Sequence, residues 1–362
     1  MHTHKSTRIS RRRFLESITC GLTIGRTALA ATSRPSEGQP FFRTRGVVLT
    51  PEDLTLTDWP ERAAAAGLTT IGLHATKSPR MLAKYVQSET GQQLLQSCRR
   101  LGLSVEYELH AMQDLLPREL FDKAPELFRM DDNGTRVREW NLCVHSELAM
   151  QTVAQNAVDL AKTLRPTTGR YFYWGDDGCP WCRCQHCAGL SDSDQALLVA
   201  TRILGAIRET DANAQVAYLA YDNTLPPPEQ IKPKPGIFLE YAPIHRRYDV
   251  PFEKADDTKS REQFEMLDAN LDVFGRTDAQ ALEYWLDVSL FSKWKKPAVK
   301  VPFDPRVLAA DLDTYGRRGI RHVTTFAVYI DADYVSRHGE PPLPQYGKQL
   351  QRWKPPRDVV AK

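Results

Sequence analysis

Two adjacent carboxylates, Asp176 and Asp177, close the run Arg170-Tyr-Phe-Tyr-Trp-Gly-Asp-Asp-Gly178. Consecutive residues of an extended chain project in different directions. Such a pair can therefore divide its work, one carboxylate orienting or polarising a substrate group while the other protonates a leaving oxygen. The simpler use of Asp-Gly is an Asx-turn or a helix cap. The aromatic run in front of the pair, ending in Trp174, favours chemistry.

A dense set of thiols follows at once: Cys179-Pro-Trp-Cys182-Arg-Cys184-Gln-His-Cys187. Cys179, Cys182, Cys184 and Cys187 have the spacing of a four-thiolate structural zinc site, and in an oxidising compartment they can equally form disulfides, with Cys98 or Cys143 as further partners. The two readings stay open, and in either the cluster stiffens the loop that holds Asp176 and Asp177. A catalytic zinc fits less well, because such sites keep an open position and draw more on His and carboxylate. No cofactor is expected for catalysis. His186 reads as an exposed loop residue.

The elements that must position these groups follow from periodicity. From Gly46 onward short apolar runs alternate with stretches of helical period, the pattern of parallel βα units. Strands are expected near 46–50, 69–74, 104–110, 170–176, 215–221, 236–241, 281–287 and 323–329, with helical stretches such as 92–100, 147–164, 196–209, 260–274 and 306–317 between them. Eight such units predict an α/β fold, a single (β/α)8 TIM-type barrel over residues 45–352, followed by a tail over 353–362. Long connections at about 111–146 and 177–191 fall on the face where such barrels keep their sites. The Pro-rich piece from Leu225 to Pro235 reads as a stiff connector.

In that fold the strand ends bring His74, Glu108, His110, Trp174, Asp176, Asp177, Tyr221, Glu240, Tyr241, Trp285, Asp287, Tyr329 and Asp331 toward one cleft. Aromatic faces stack on the apolar side of sugar rings, and carboxylates accept hydroxyl hydrogen bonds and supply the acid and base of glycosidic cleavage. The expected ligand is carbohydrate. Asp176 and Asp177 are the catalytic candidates, with His110, Trp174, Tyr221, Glu240, Tyr241, Trp285 and Asp287 as substrate-binding candidates. Trp294-Lys-Lys296 reads as an exposed turn.

The 362-residue chain carries a formal net charge of +3, but Lys5, Arg8, Arg11, Arg12, Arg13 and Arg26 stand against Glu16 alone in residues 1–30, which leaves the rest near −2. Without a basic stripe there is no electrostatic case for nucleic acid or an anionic membrane. Ser10-Arg-Arg-Arg-Phe-Leu15, a mildly apolar stretch and Ala28-Leu-Ala30 together read as a twin-arginine signal over 1–30, with a linker over 31–44 and a periplasmic or secreted product. That stretch is short and interrupted by Arg26, and no later segment reads as an integral membrane span.

The span from Gly175 to Cys187, followed by Ser191-Asp-Ser-Asp-Gln195, closely resembles the bacterial family called domain of unknown function 4838. Glu108-Leu-His110, Ala124-Pro-Glu126, Asn141-Leu-Cys143 and Leu239-Glu-Tyr-Ala-Pro243 look like its further blocks. The resemblance implies a glycoside-hydrolase-like barrel, similar in outline to family 20 hexosaminidases, which place an acidic pair after the fourth strand. It then implies that Asp176 orients a 2-acetamido group, whose carbonyl attacks the anomeric carbon, and that Asp177 acts as general acid and then base. The Cys-rich insert is foreign to those hexosaminidases.

Two alternatives accompany that expectation. Asp177 can work with a carboxylate from the opposite wall, Glu240 or Asp287; carboxyls about 5 Å apart imply retention and about 6.5–9.5 Å inversion. The same aromatics and acids also suit a barrel that binds glycans without cleaving them.

Overall fold

The computed structural model describes residues 39–75 and 78–356. The expected signal, most of the linker and the end of the C-terminal tail lie outside the described residues.

Eight parallel strands close into one barrel in chain order. They are β1 (Thr44–Leu49), β2 (Thr70–His74), β3 (Ser104–His110), β4 (Arg170–Trp174), β5 (Gln215–Ala220), β6 (Ile237–Tyr241), β7 (Gln280–Glu283) and β8 (His322–Phe326). Each is buried on both faces, which is why each reads as a short, nearly continuous apolar run. The helices around them start on side-chain caps written in the sequence. Ser146 Oγ accepts from the Ala149 N–H, Asp257 from that of Ser260, and Ser191 forms a capping box with Asp194 ahead of the helix Asp192–Ile207. No helix among the described residues is long and apolar enough to cross a membrane.

Three strands end earlier than their apolar runs. After β4 the Asp176 N–H turns to Asn141 Oδ1 at 2.9 Å instead of a neighbouring strand. After β7 Asp287 caps the short helix Val288–Phe291. Beyond β8 Tyr329 takes a left-handed conformation, φ 69°.

Period-two alternation separates the two faces of the sheet. Val48, Phe172, Trp174, Ala217, Leu219, Phe238, Leu282 and Tyr284 form an inner cluster, while Val47, Leu49, Ile71, Leu73, Tyr173 and Leu239 join the core shared with the helices. A polar layer crosses the barrel among the inner residues. Arg170 donates to the Asp278 carbonyl at 3.2 and 3.3 Å and to Gln280 Oε1 at 3.1 Å, and its guanidinium lies 3.8 Å from the Phe238 ring centre. Gln280 Nε2 donates to Glu240 Oε1 at 2.9 Å. Glu106, whose Oε1 lies 3.8 Å from Arg170 Nε, completes the layer with Glu108, both without solvent exposure. Burial, then the other glutamates, push Glu108 well above the ordinary carboxylate range; burial does the same for Glu240 against the opposing pull of Arg170.

Glu240, expected in the cleft, therefore belongs to this interior layer. Its neighbour Tyr241 points the other way, as alternation requires, and its hydroxyl donates to the Gln263 carbonyl. Trp285 lies past the end of β7 and also faces outward, its indole N–H donating to Asp311 Oδ2 at 2.9 Å. Asp311 and Glu283 flank Arg246 there, all three fully buried, in a charge network between the sheet and the helix Pro305–Arg317.

Candidate functional site

The carboxyl ends of the strands surround a cavity of about 300 Å³. Its lining includes His74 from β2, His110 from β3, Trp174 from β4, Asp177 and Tyr221 just beyond β4 and β5, Tyr284 and Asp287 beyond β7, and Phe326, Tyr329 and Trp294. His110, Trp174, Tyr221, Asp177 and Asp287 thus share one cavity, as the strand-end argument expects, whereas Glu240, Tyr241 and Trp285 do not line it. Tyr284, Phe326 and Trp294 are additions. The apolar run through β7 makes Tyr284 look like ordinary strand packing, and Trp294 looks like part of a surface turn.

Asp176 and Asp177 diverge sharply. Asp176 is buried, with Oδ1 accepting the Gln113 N–H at 3.2 Å and Oδ2 buried without a partner. Burial raises its pKa to about 6, against the opposing pull of the Gln113 N–H and Arg118. Asn141 fixes the turn from both sides, since its Oδ1 accepts from Asp176 N–H and its Nδ2 donates to the Cys179 and Pro180 carbonyls at 2.9 and 3.3 Å. Two glycines make the turn passable. A Cβ at Gly175 would come within 2.8 Å of the Trp181 ring, and Gly178 has φ +59° with Asp222 Oδ2 2.5 Å from where its Cβ would stand.

Asp177 instead reaches solvent, with 66% of its side chain exposed, and its Oδ1 lies 3.7 Å from His110 Nε2. The other ring nitrogen of His110 is 2.6 Å from the Gly175 carbonyl. A carbonyl only accepts, so Nδ1 carries a proton and Nε2 is the nitrogen turned to Asp177. His74 is held in the same tautomer by the Glu108 carbonyl, 2.9 Å from its Nδ1. Burial, then His110, lower the His74 pKa to about 4, so at neutral pH it offers Nε2 as an acceptor. Burial, then Asp177, hold the Tyr221 hydroxyl above its ordinary range, with Asp287 adding a smaller push.

Asp287 stands on the far wall. Its Oδ1 accepts from the Ser289 N–H at 3.0 Å, the Leu290 N–H at 3.3 Å and the Ser289 hydroxyl at 2.5 Å, and burial raises its pKa to about 6. Strained backbone gathers round the rim: Lys293, Trp294 and Tyr329 have φ of 52°, 55° and 69°. A non-glycine residue in this region costs on the order of 1–3 kcal/mol. Tyr329 is kept there by its N–H, which donates to the buried Asp53 Oδ1 at 2.8 Å. Trp294 presents 64% of its surface to solvent.

A second cavity of about 190 Å³ adjoins the first and is lined by His74, Ser78, His110, Gln113, Trp140, Asp176 and Asp177, among others. His74, His110 and Asp177 belong to both cavities.

Behind the turn four sulfurs converge, and their identity corrects the expected set. They are Cys143, Cys182, Cys184 and Cys187, all buried and within 4.8 Å of one another. Cys179 stands apart, only partly buried, with its Sγ donating to the Asp177 carbonyl at 3.2 Å. Cys143 takes its place because the first long loop folds back across the second, where the Arg183 N–H meets the Met130 carbonyl at 2.9 Å.

The fold is similar to that of the cold-adapted β-galactosidase from Rahnella sp. R3 (TM-score 0.54, 12% identity) and of Gan42B, a GH42 β-galactosidase from G. stearothermophilus (TM-score 0.54, 12% identity). In both cases 86% of this chain is covered, and the chain spans 57% of the other protein's length. These neighbours are β-galactosidases rather than the hexosaminidases that the acidic pair brings to mind. No curated protein matches the sequence. Residues 74–274, which carry β3 through the helix after β6 and hold the acidic turn, its two long loops and all four converging sulfurs, match one family throughout, and the chain belongs to it: Domain of unknown function (DUF4838).

Proposed function

We propose that the cleft hydrolyses glycosidic bonds, with Asp177 as general acid and base and Asp287 as the partner carboxylate across the same cavity. The observation that carries this reading is that Asp177 and Asp287 line one cavity walled by Trp174, Tyr221, Tyr284, Phe326 and Tyr329, while Asp176 does not line it. Aromatic walls receive the C–H faces of a sugar, and Nε2 of the neutral His74 accepts a hydrogen bond from a hydroxyl. Asp177, at the open side of the cleft, can reach the oxygen of a leaving group and exchange its proton with water once that group has left. Asp287, held by three donors on Oδ1, is fixed in place to act as nucleophile or as base toward water. The reading includes export through the twin-arginine route.

A second reading keeps Asp177 in the same role and gives the partner's work to a 2-acetamido group of the substrate, oriented by Asp176. It is favoured by Asp176 Oδ2, a buried acceptor without a donor, which an amide N–H would satisfy.

Release of a chromophoric leaving group from plain β-hexosides and from β-N-acetylhexosaminides, measured on the wild type and on Asp177→Asn, Asp287→Asn and Asp176→Asn, separates these readings. Loss of activity on plain hexosides in the first two variants is expected. Activity confined to acetamido sugars, unaffected by Asp287→Asn and lost in Asp176→Asn, would move the proposal to the second reading. Sugar binding by calorimetry with no bond cleavage on any substrate would leave a glycan-binding barrel.

A further inference from the structure

The geometry points to a closed tetrathiolate zinc site formed by Cys143, Cys182, Cys184 and Cys187, which clamps the loop after β3 to the loop after β4. A disulfide brings two sulfurs to about 2.05 Å. Four sulfurs each about 2.3 Å from a tetrahedral zinc instead stand about 3.8 Å from one another. Cys143 Sγ is 3.7 Å from Cys184 Sγ and 3.9 Å from Cys187 Sγ. Two disulfides would need two of these pairs drawn in to disulfide length, whereas one ion takes all four sulfurs at the spacing they have.

The surroundings suit thiolates rather than thiols. The Met130 N–H donates to Cys182 Sγ at 3.3 Å, and Arg136 Nη1 approaches the same sulfur at 3.7 Å. Such donors around a metal-bound sulfur stabilise its charge and orient it. Four buried thiolates with one arginine nearby still require a divalent cation. On binding, the four thiol protons pass to solvent and the ion takes four sulfur electron pairs, with no redox change. All four positions are filled by protein and shielded from water, so the ion's role is structural.

The site is independent of the proposed chemistry but lies directly behind it. Cys143 is two residues from Asn141, which holds Asp176, and Cys182 begins five residues after Asp177. The clamp joins two segments 41 residues apart in the chain, Cys143 to Cys184.

Zinc content by plasma mass spectrometry, measured on the full chain purified without chelator, tests the assignment. About one zinc per chain is expected in the wild type and in Cys179→Ser, and less than a tenth of that in Cys143→Ser. Should Cys143→Ser fail to fold, cobalt replacement in the wild type is the second measurement, and intense visible d–d and thiolate charge-transfer bands of a tetrahedral tetrathiolate are expected. A wild type without zinc whose denatured mass shows disulfides among these cysteines would overturn the site. Stoichiometric iron would overturn the choice of metal, and loss of zinc in Cys179→Ser with retention in Cys143→Ser would overturn the ligand set.

Discussion

His110 Nε2 faces Asp177 Oδ1 across 3.7 Å while its Nδ1 is committed to the Gly175 carbonyl, so one imidazole links the proposed acid to the turn that delivers it. The ring cannot rotate to offer Asp177 a different nitrogen without giving up the carbonyl. If the two side chains act as a unit, their losses do not add. Asp177→Asn is expected to lower kcat/KM by about 10²–10⁴, and His110→Ala by on the order of 10–100. The double variant should be no slower than Asp177→Asn alone. Additive losses in this cycle would show that His110 acts on the substrate by itself.

Asp287 must be ionised to serve as nucleophile or base, and its pKa is raised to about 6 by burial. Activity is therefore expected to climb as pH rises through about 6 and to be lost below it. Asp176 titrates in the same region, so kcat/KM against pH must be recorded for Asp176→Asn. An unchanged acid limb in that variant supports Asp287 as its source, and a vanished limb assigns it to Asp176.

Glu108 tests the barrel's interior layer. Its folded pKa is raised well above 4.5, so the folded chain keeps a proton that the unfolded chain gives up. The associated stability is fully present below about pH 4.5 and is lost as pH rises toward the folded value, by about 1.4 kcal/mol for each pH unit. Glu108→Gln, close in shape to the protonated acid, is expected to match the wild type in urea denaturation near pH 4 and to exceed it at pH 7. A variant less stable at pH 7 would mean that Glu108 is ionised in the fold.

Metal removal is the fourth expectation and rests on the zinc site. Structural zinc contributes several kcal/mol or more to a fold. Stripping the ion under denaturing conditions and refolding with chelator should lower Tm by on the order of 10 °C, with restoration on adding zinc. A protein shown to have lost its metal and melting at the original temperature would contradict a structural role.

The barrel was legible because each strand, buried on both faces, leaves a compact apolar run between helical stretches. Strand ends were less so, because they are set by side-chain bonds rather than propensity: Asn141 stops β4 and Asp287 caps the helix after β7. Alternation alone forbids Glu240 and Tyr241 from sharing a face, and neither reaches the cleft. Trp285 follows the alternation that puts Tyr284 inward and so faces out, whereas Asp287 reaches the cleft only because the chain leaves the strand to cap a helix. The acidic turn could be read from its aromatic strand and glycines, but the fourth sulfur could not. The local spacing nominates Cys179, and only the return of a distant loop brings Cys143 to the cluster.

The left-handed backbone at Trp294 and Tyr329 sets stability and recognition against each other. Replacing Trp294 with glycine would relax the chain and at the same stroke remove the most exposed aromatic surface at the cleft mouth. Selection for heat resistance alone would thus favour a smoother rim and erode the grip on the proposed sugar, whereas selection for the proposed binding keeps a tryptophan where the backbone would rather have none.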